Sequence, residues 1–263
     1  MLVFSGAVTF AQTAKRHSPV SKLFVADVTG ESQIDLGDQK IEPLVKDGVH
    51  APEGSIIESK AASTDSLILS NGTALYVSAD TRFEVKKFLQ EPFSLNRADL
   101  DVEPSISQTF IKVLRGSVGI CTSKLVAGSS MVYQTPQATI NVRGRRLLIE
   151  TSVDETRISL LEGDITVIGN ELSPGQILRP GQQAIAKKST DENVVLTVRP
   201  IPDADKAKLD ELVSLACISR STVYFEAVEK TENGDVTQEI TPVHTTPAQR
   251  PTEFTVSPAR IHD

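Results

Sequence analysis

The feature that most constrains this chain is a short strand–glycine–strand unit that recurs in its middle third. The copies are Val113–Val118, Leu160–Ile165 and Leu178–Ala184, with a weaker fourth copy at Val142–Leu147. Each copy places a glycine between two apolar stretches, and their irregular spacing favours stacked β turns over a strict repeat array. We expect Gly116 and Gly163 to adopt positive φ. A β-branched residue resists that region, so valine at either position should destabilise the fold.

Other strand signals are short and evenly placed along the chain. The pair Asn71-Gly72 predicts a tight hairpin, because both residue types tolerate positive φ. Charged and apolar residues then alternate, which places Phe83, Val85 and the stem of Lys87 on one buried face. These patterns predict an all-β fold of stacked short strands resembling a single-stranded β-helix or solenoid.

The pattern changes after Pro200 and Pro202. Apolar residues at helical spacing over 203–219 predict one amphipathic helix that packs against the sheets, with Asp203 as its N-cap. The predicted organisation is a signal peptide and linker over 1–20, a β domain over 21–199, a helix and possible hairpin over 200–240, and a disordered tail over 241–263.

The first residues of the chain indicate where in or outside the cell the protein is located. Met1–Ala11 is an apolar run that ends in Thr9-Phe10-Ala11, which is typical of the end of a secretory signal. A basic segment before the run is lacking, so the alternatives are a start further upstream or an ordinary buried strand. We expect export to a periplasmic or extracellular location. No stretch reaches the length of about 18 apolar residues that a membrane-spanning helix needs.

Composition disfavours several classes of partner. The net charge of −7 and the pI near 5.2 argue against nucleic acid and anionic membrane surfaces, which would repel the chain at long range. The absence of tryptophan weakens a carbohydrate-binding interpretation. An extracytoplasmic protein partner is the remaining expectation.

The two cysteines, Cys121 and Cys217, are too few for a disulfide framework or a zinc site. The favoured interpretation is two separate buried thiols. If they paired instead, the bond would close a loop of roughly 100 residues and could add about 4 to 5 kcal/mol.

The sequence contains no recognisable set of catalytic residues. Its four histidines lack ligand-spaced partners, and nucleophile-elbow and phosphate-binding motifs are absent. We therefore predict no catalytic residue, no cofactor and no metal site. The carboxylates of Asp99, Asp101 and Glu103 could ligate calcium if their loop folded back, but a solvated loop is the favoured interpretation.

One basic cluster stands out. Arg143, Arg145 and Arg146 lie close together near a strand end, where their guanidinium groups could hold a carboxylate or phosphate. A solvated turn is the commoner role for such a run. We retain the three arginines as candidate contacts for an anion or a protein partner.

Several segments, taken in order, carry a resemblance to a known family. They are Gly54–Ser59, Ser66–Val77, Thr81–Val85, Val113–Gly116, Thr135–Gly144 and Ser159–Val167. Together they resemble the FecR-like domain family. The sequence departs from the family pattern at Gly144–Leu147, where the family has Gly-Thr-x-Phe.

The resemblance implies an extracytoplasmic β domain that senses or transmits signals through protein contacts. In the best-known members the domain follows an anti-sigma segment and a transmembrane helix and regulates iron-siderophore uptake. Neither segment is recognisable here, so we do not carry the iron role over.

Two hypotheses follow. The first is a non-enzymatic extracytoplasmic module for protein binding, sensing or scaffolding. The alternative is an exported ligand-binding protein or hydrolase, with a site built from dispersed carboxylates or from the arginine cluster.

Overall fold

The structure is a computed structural model that describes residues 21–38, 40–93, 101–143, 145–169, 174–189, 193–232 and 235–245. The predicted signal segment, 1–20, lies outside the described residues, as does the part of the predicted tail from residue 246 onward. The described residues form nineteen β-strands and one α-helix. The predicted all-β fold with one C-terminal helix is confirmed.

Seventeen strands form two facing layers that we call the β roll, joined through one long strand, β9 (Ser107–Cys121). Sheet A contains, in spatial order, β4 (Val49–His50), β1 (Leu23–Thr29), β6 (Thr64–Leu69), β7 (Thr73–Val77), the end of β9, β12 (Arg146–Thr151), β13 (Glu155–Glu162), β16 (Gln182–Lys188) and β17 (Val194–Pro200). Sheet B contains β3 (Ile41–Pro43), β2 (Ser32–Asp35), β5 (Ile56–Ser59), β8 (Arg82–Gln90), the start of β9, β10 (Ser130–Gln134), β11 (Thr139–Val142), β14 (Ile165–Ile168) and β15 (Gln176–Leu178).

Strand direction distinguishes the β roll from a β-helix. The chain changes sheet after every one or two strands, so the short strands are stacked as predicted. Within each sheet, however, the strand pairs are antiparallel, with β9 and β10 as a parallel exception. Both sheets contain hairpins of consecutive antiparallel strands, such as β6–β7 and β14–β15, which the parallel coils of a β-helix lack. The β-helix detail of the prediction is not confirmed.

Each described crossing between the sheets contains a residue with positive φ. These residues are Gly30, Asp47, Gly54, Ala62, Asp80, Gly116, Gly128, Gly163 and Gly181. The recurring strand–glycine–strand unit of the sequence is therefore the corner of the β roll. Gly116 and Gly163 have φ of 95° and 94°, as expected from the sequence. Gly144, in the weaker copy, lies outside the described residues.

The turn between β6 and β7 forms the predicted hairpin in a different conformation. Leu69 pairs with Thr73, and the Gly72 N–H donates to the Leu69 carbonyl at 2.9 Å. Gly72 has positive φ (83°) and Asn71 does not, which matches a three-residue loop that ends in a left-handed glycine. The Asn71 side chain instead accepts from the Thr73 N–H at 3.1 Å and donates to Ser107 at 3.1 Å.

The alternation predicted for β8 fails at one position. Phe83 and Val85 are buried as expected, but the stem of Lys87 does not lie on the buried face. A bulge between Val85 and Lys87 shifts the register, so Phe88 occupies the next core position. Lys87 instead donates to Gln108 at 2.6 Å on the outer face.

A fully bonded polar cluster holds one hairpin of the β roll. The buried Gln137 accepts from Thr156 Oγ1 at 2.6 Å and donates to the Val153 carbonyl at 2.6 Å. Thr156 also lies 2.8 Å from both Thr135 and Thr151. Thr135 and Gln137, which belong to a segment that carries part of the family resemblance, thus fix the turn between β12 and β13.

The C-terminal segment covers the outer face of sheet A. It consists of α1 (Asp203–Arg220) and a hairpin of β18 (Val223–Glu232) and β19 (Asp235–His244). Leu209 and Val213 of the helix pack on Leu148, while the hairpin packs on Phe24. Gly119 in β9 permits this close approach, because a Cβ there would lie 2.6 Å from the backbone oxygen of Leu212.

Two boundaries differ from the predictions. The N-cap residue is Pro202, which makes no side-chain capping bond, and Asp203 is the first helical residue, paired with Lys206 at 2.6 Å. Asp203 lacks the N-cap role because the extended conformation falls on the proline before it. The strand β19 continues to His244, past residue 241, where the sequence predicted a tail.

Candidate functional site at the disulfide

Cys121 and Cys217 form a disulfide bond. The interpretation of two separate thiols was wrong, because the docking of α1 brings the end of β9 next to the helix. The bond joins residues 96 positions apart. It fastens the covering helix to the β roll.

A cleft of about 540 Å³ opens beside this bond, lined by Arg145, Arg146 and Arg220. Arg145 and Arg146 come from the strand end that the sequence singled out. Arg220 comes from the last turn of α1 and donates to Ser123 Oγ at 2.9 Å. The structure therefore brings together two of the predicted arginines and one that the sequence analysis missed.

Arg143 does not line the cleft. It is exposed, and its backbone N–H donates to the Asp164 carbonyl at 3.0 Å, before the chain enters β12. The proposed role of Arg143 as an anion or partner contact stays a prediction, separate from the cleft.

Carboxylates offset much of the positive charge in the cleft. Arg145 lies 3.2 Å from Asp101 and 3.5 Å from Glu162, and Arg146 lies 3.4 Å from Asp210. Burial, followed by the charge of Arg145, lowers the pKa of Arg220, and Asp101 and Glu162 act in the opposite direction.

The Nε atoms of Arg145 and Arg146 are buried away from the cleft and have no hydrogen-bond partner within the described parts of the chain. The side chains themselves are 34% and 32% exposed, so an acidic group would meet their outer N–H groups. The ion pairs of these arginines join the loop, the helix and the β roll.

A second cleft of about 480 Å³ runs along the first half of α1 and contains Glu150 and Glu155. Two carboxylates in a cleft are what a glycoside hydrolase would need. Here Glu150 is 2.6 Å from Lys208, and Glu155 is 3.0 Å from Arg157. Both carboxylates are held in ion pairs, an arrangement that favours a structural role.

The acidic stretch 99–103 is not a solvated loop throughout. Asp99 lies outside the described residues, and Asp101 is exposed beside Arg145. Glu103 is fully buried, accepting from the Ser107 hydroxyl and, at 3.1 Å, from the Val126 N–H. These bonds overturn the solvated-loop interpretation for Glu103, which anchors the loop to the β roll.

Replacing Glu103 with alanine is expected to lower the free energy of unfolding by about 2 to 4 kcal/mol, because the buried Ser107 hydroxyl and the half-buried Val126 N–H lose a charged acceptor. Urea denaturation of the purified protein measures this loss. The matched control is Asp101→Ala, two residues away, whose exposed ion pair should contribute less than about 1 kcal/mol. Equal losses in both variants would contradict the anchoring role.

Asp65 in β6 is a buried carboxyl group with an unusual environment. It is 1% exposed, and neither oxygen has a hydrogen-bond partner within the described residues. Burial raises the pKa of Asp65 to about 6, and the nearby Ser32 hydroxyl lowers it only in part. The folded protein therefore binds the proton of the Asp65 carboxyl group more tightly than the unfolded chain does. For this reason folding is favoured at low pH and weakened as the pH rises through about 6.

Asp65→Asn is therefore expected to raise the free energy of unfolding by about 3 kcal/mol at pH near 8 and by little at pH near 4. Denaturant titrations at both pH values measure the difference. Asp27→Asn, at an exposed carboxylate, is the control and should change stability by less than about 0.5 kcal/mol at both. A gain for Asp65→Asn that is the same at both pH values would show that ionisation is not the cause.

The described residues also lack two other features that would indicate a function. No helix there combines the length and apolar character needed to cross a bilayer. Across the same ranges, no group of three or more histidine, cysteine, aspartate or glutamate side chains is placed to hold a metal ion.

Comparison with known proteins identifies the domain type. The family model described as FecR protein matches residues 55–166, so the chain carries a FecR domain over that range, from the turn before β5 into β14. This match confirms the resemblance carried by the sequence segments. No curated protein gives a significant match.

Two crystal structures, each of a candidate anti-sigma factor from Parabacteroides distasonis ATCC 8503, are similar to parts of this chain. The 1.65 Å structure is 16% identical with a TM-score of 0.43, and the match covers 58% of this chain and 62% of that one. The 2.50 Å structure is 13% identical with a TM-score of 0.44, and the match covers 70% of this chain and 97% of that one.

Proposed function

We propose that this chain is an extracytoplasmic protein-binding and sensing module that acts through contacts and carries out no reaction of its own. The observation that carries the proposal is a FecR domain locked by a disulfide to a C-terminal helix. FecR domains belong to regulatory proteins, which supports a role in signalling.

The disulfide supports the proposed location. Such bonds persist in oxidising compartments such as the periplasm and the cell exterior, and are rare in the cytosol. The apolar segment Met1–Ala11, which lies outside the described residues, agrees with export.

The hydrolase alternative receives less support. The one buried carboxyl group with a markedly raised pKa, among the described residues, is Asp65, and it does not line the cleft that contains Glu150 and Glu155. An acid and a base that share a substrate would have to meet in one cavity.

Photo-cross-linking in intact host cells tests the proposed function. A photoreactive residue at Gln134, on the outer face of sheet B, or at Glu211, on the exposed side of α1, should give a discrete protein adduct in the extracytoplasmic fraction. The same cells without irradiation are the control. Folded protein that gives no adduct from either position, or that is recovered in the cytosol, would contradict the proposal.

A further inference from the structure

The two outer faces of the β roll differ. Helix α1 and the hairpin β18–β19 cover sheet A, whereas the described residues add no second layer over sheet B. Within the described ranges the outer face of sheet B is therefore open, and its side chains determine what can dock there.

The centre of this face is a carboxylate surrounded by cations. Glu58 Oε1 lies 2.6 Å from Arg115, Glu58 Oε2 lies 2.8 Å from Arg82, and Lys60 is 3.8 Å away. The Glu58 side chain is 13% exposed, against 49% for Arg115 and 46% for Lys60. The negative charge thus lies beneath the cations, and a surplus positive charge faces outward.

Glu58 stays ionised beneath these cations. Burial acts to raise its pKa, but the hydrogen bond from Arg115 and the charges of Lys60 and Arg82 outweigh burial and hold the pKa below its ordinary value. Since Glu58 also fixes both guanidinium groups in place, the two arginines lose little side-chain entropy when an acidic group binds to their remaining N–H donors.

The positive charge continues along the neighbouring strands. Lys112 lies across from Glu84, which is also 2.5 Å from Lys86, and Lys87 points outward beside them. The cations of this basic face are Lys60, Arg82, Lys86, Lys87, Lys112 and Arg115, against the carboxylates Asp35, Glu58 and Glu84. Such a concentration on a chain of net charge −7 creates a local field of opposite sign.

A groove of about 430 Å³ adjoins the basic face and shares Lys60 with it. Ile41, which is 57% exposed, and Pro43 give the groove an apolar wall. Glu31 and Glu42 also line it. These carboxylates would repel an acidic group, so the acidic residues of a ligand belong over the arginines and an apolar residue belongs in the groove.

We propose that the outer face of sheet B docks an acidic, extended segment of a protein partner, with its carboxylates on Arg82 and Arg115 and an apolar side chain in the adjoining groove. The inference rests on the proposed protein-binding role and names the face and the chemistry. Nucleic acid and anionic lipid fit less well, because the net negative charge of the chain and the groove carboxylates would repel a uniform polyanion.

The test uses a short fluorescent peptide of glutamates with one central leucine, and a second peptide of glutamates alone. Binding to the full chain, measured by fluorescence anisotropy, should weaken as salt increases. The double variant Lys87→Glu/Lys112→Glu should bind at least about tenfold more weakly. The control Lys46→Glu/Lys206→Glu changes the net charge equally at other surfaces and should bind within about twofold of the original chain.

The groove is tested separately. Ile41→Ser should weaken binding of the leucine peptide and leave binding of the all-glutamate peptide unchanged, which isolates the apolar contact. Equal effects on both peptides would overturn the groove assignment.

Three results would overturn the docking proposal as a whole. The first is equal peptide affinity in Lys87→Glu/Lys112→Glu, the face variant, and in the control Lys46→Glu/Lys206→Glu. The second is tighter binding of duplex DNA or anionic vesicles than of the peptides. The third is self-association that the face variant abolishes, which would identify a second copy of the chain as the occupant. If the face variant binds normally while cross-linking from Glu211, on α1, still yields a protein adduct, the face is wrong and the proposed function stands. Without an adduct, the proposed function itself fails.

Discussion

Loss of the Cys121–Cys217 disulfide is expected to lower the free energy of unfolding by about 4 to 5 kcal/mol, because the bond closes a long loop in the unfolded chain. The loop spans 96 positions, so its closure removes much of the freedom of the unfolded state. Guanidinium denaturation of the double variant Cys121→Ala/Cys217→Ala measures the loss.

The original chain under reducing conditions is the matched control, and should unfold at the same denaturant concentration as the double variant. The double variant should not respond to reductant. Hydrogen exchange should speed up most in α1, because the remaining contacts of the helix with Leu148 and Gly119 no longer have a covalent support. If the original chain were equally stable with and without reductant, the role assigned to the bond would be contradicted.

Gly116→Val is expected to be the most damaging single substitution considered, with a loss of about 4 kcal/mol or more. Gly116 turns β9 from sheet B into sheet A with a φ of 95°. A Cβ there would lie 2.5 Å from the Thr81 Cα, a backbone atom that cannot rotate away. Valine therefore adds a steric clash to an unfavourable φ. Thermal and denaturant unfolding measure the loss.

Gly181→Val separates the two effects. Gly181 has a φ of 83°, but a Cβ there meets nothing within 4 Å. Its replacement should cost about 1 to 3 kcal/mol, from backbone strain alone. Gly163→Val, at a φ of 94°, should also destabilise the fold, as the sequence predicted. A Gly116→Val variant as stable as Gly181→Val would show that the approach of Thr81 is not limiting.

The local features of this fold, its corners, strand faces and helix face, could be predicted from the sequence because they depend on residues close together in the chain. Glycines at the corners, apolar alternation in strands and apolar spacing in α1 are all local signals. The bulge after Val85 shows where such signals end. Alternation alone placed Lys87 inward, whereas pairing with β9 placed Phe88 in the core.

The candidate site was harder to predict because its parts are distant in sequence. Arg145 and Arg146 attracted attention as neighbours, but Arg220 joins them only after α1 docks on sheet A. The same docking pairs the two cysteines, and the sequence offered only their loop length. The basic face likewise depends on strand register, because Glu58, Arg82 and Arg115 become neighbours across β5, β8 and β9.

Glu103 illustrates a different limit of prediction from the sequence. An acidic stretch between prolines is typical of a solvated loop, and the exposed Asp101 fits that pattern. Burial of Glu103 is determined by the Ser107 hydroxyl and the Val126 N–H. Neither partner can be identified before the path of the loop is known.

The central claim, an exported FecR-domain module held by a disulfide, is tested most directly by intact mass spectrometry. The protein is expressed from its full upstream region, cells are fractionated after rapid alkylation of free thiols, and the mass and first residue are determined. We predict a mature chain that begins at Gln12 or near it, in the extracytoplasmic fraction, with Cys121 and Cys217 bonded and unalkylated. A cytosolic chain that retains Met1 and carries two alkylated cysteines would contradict the account.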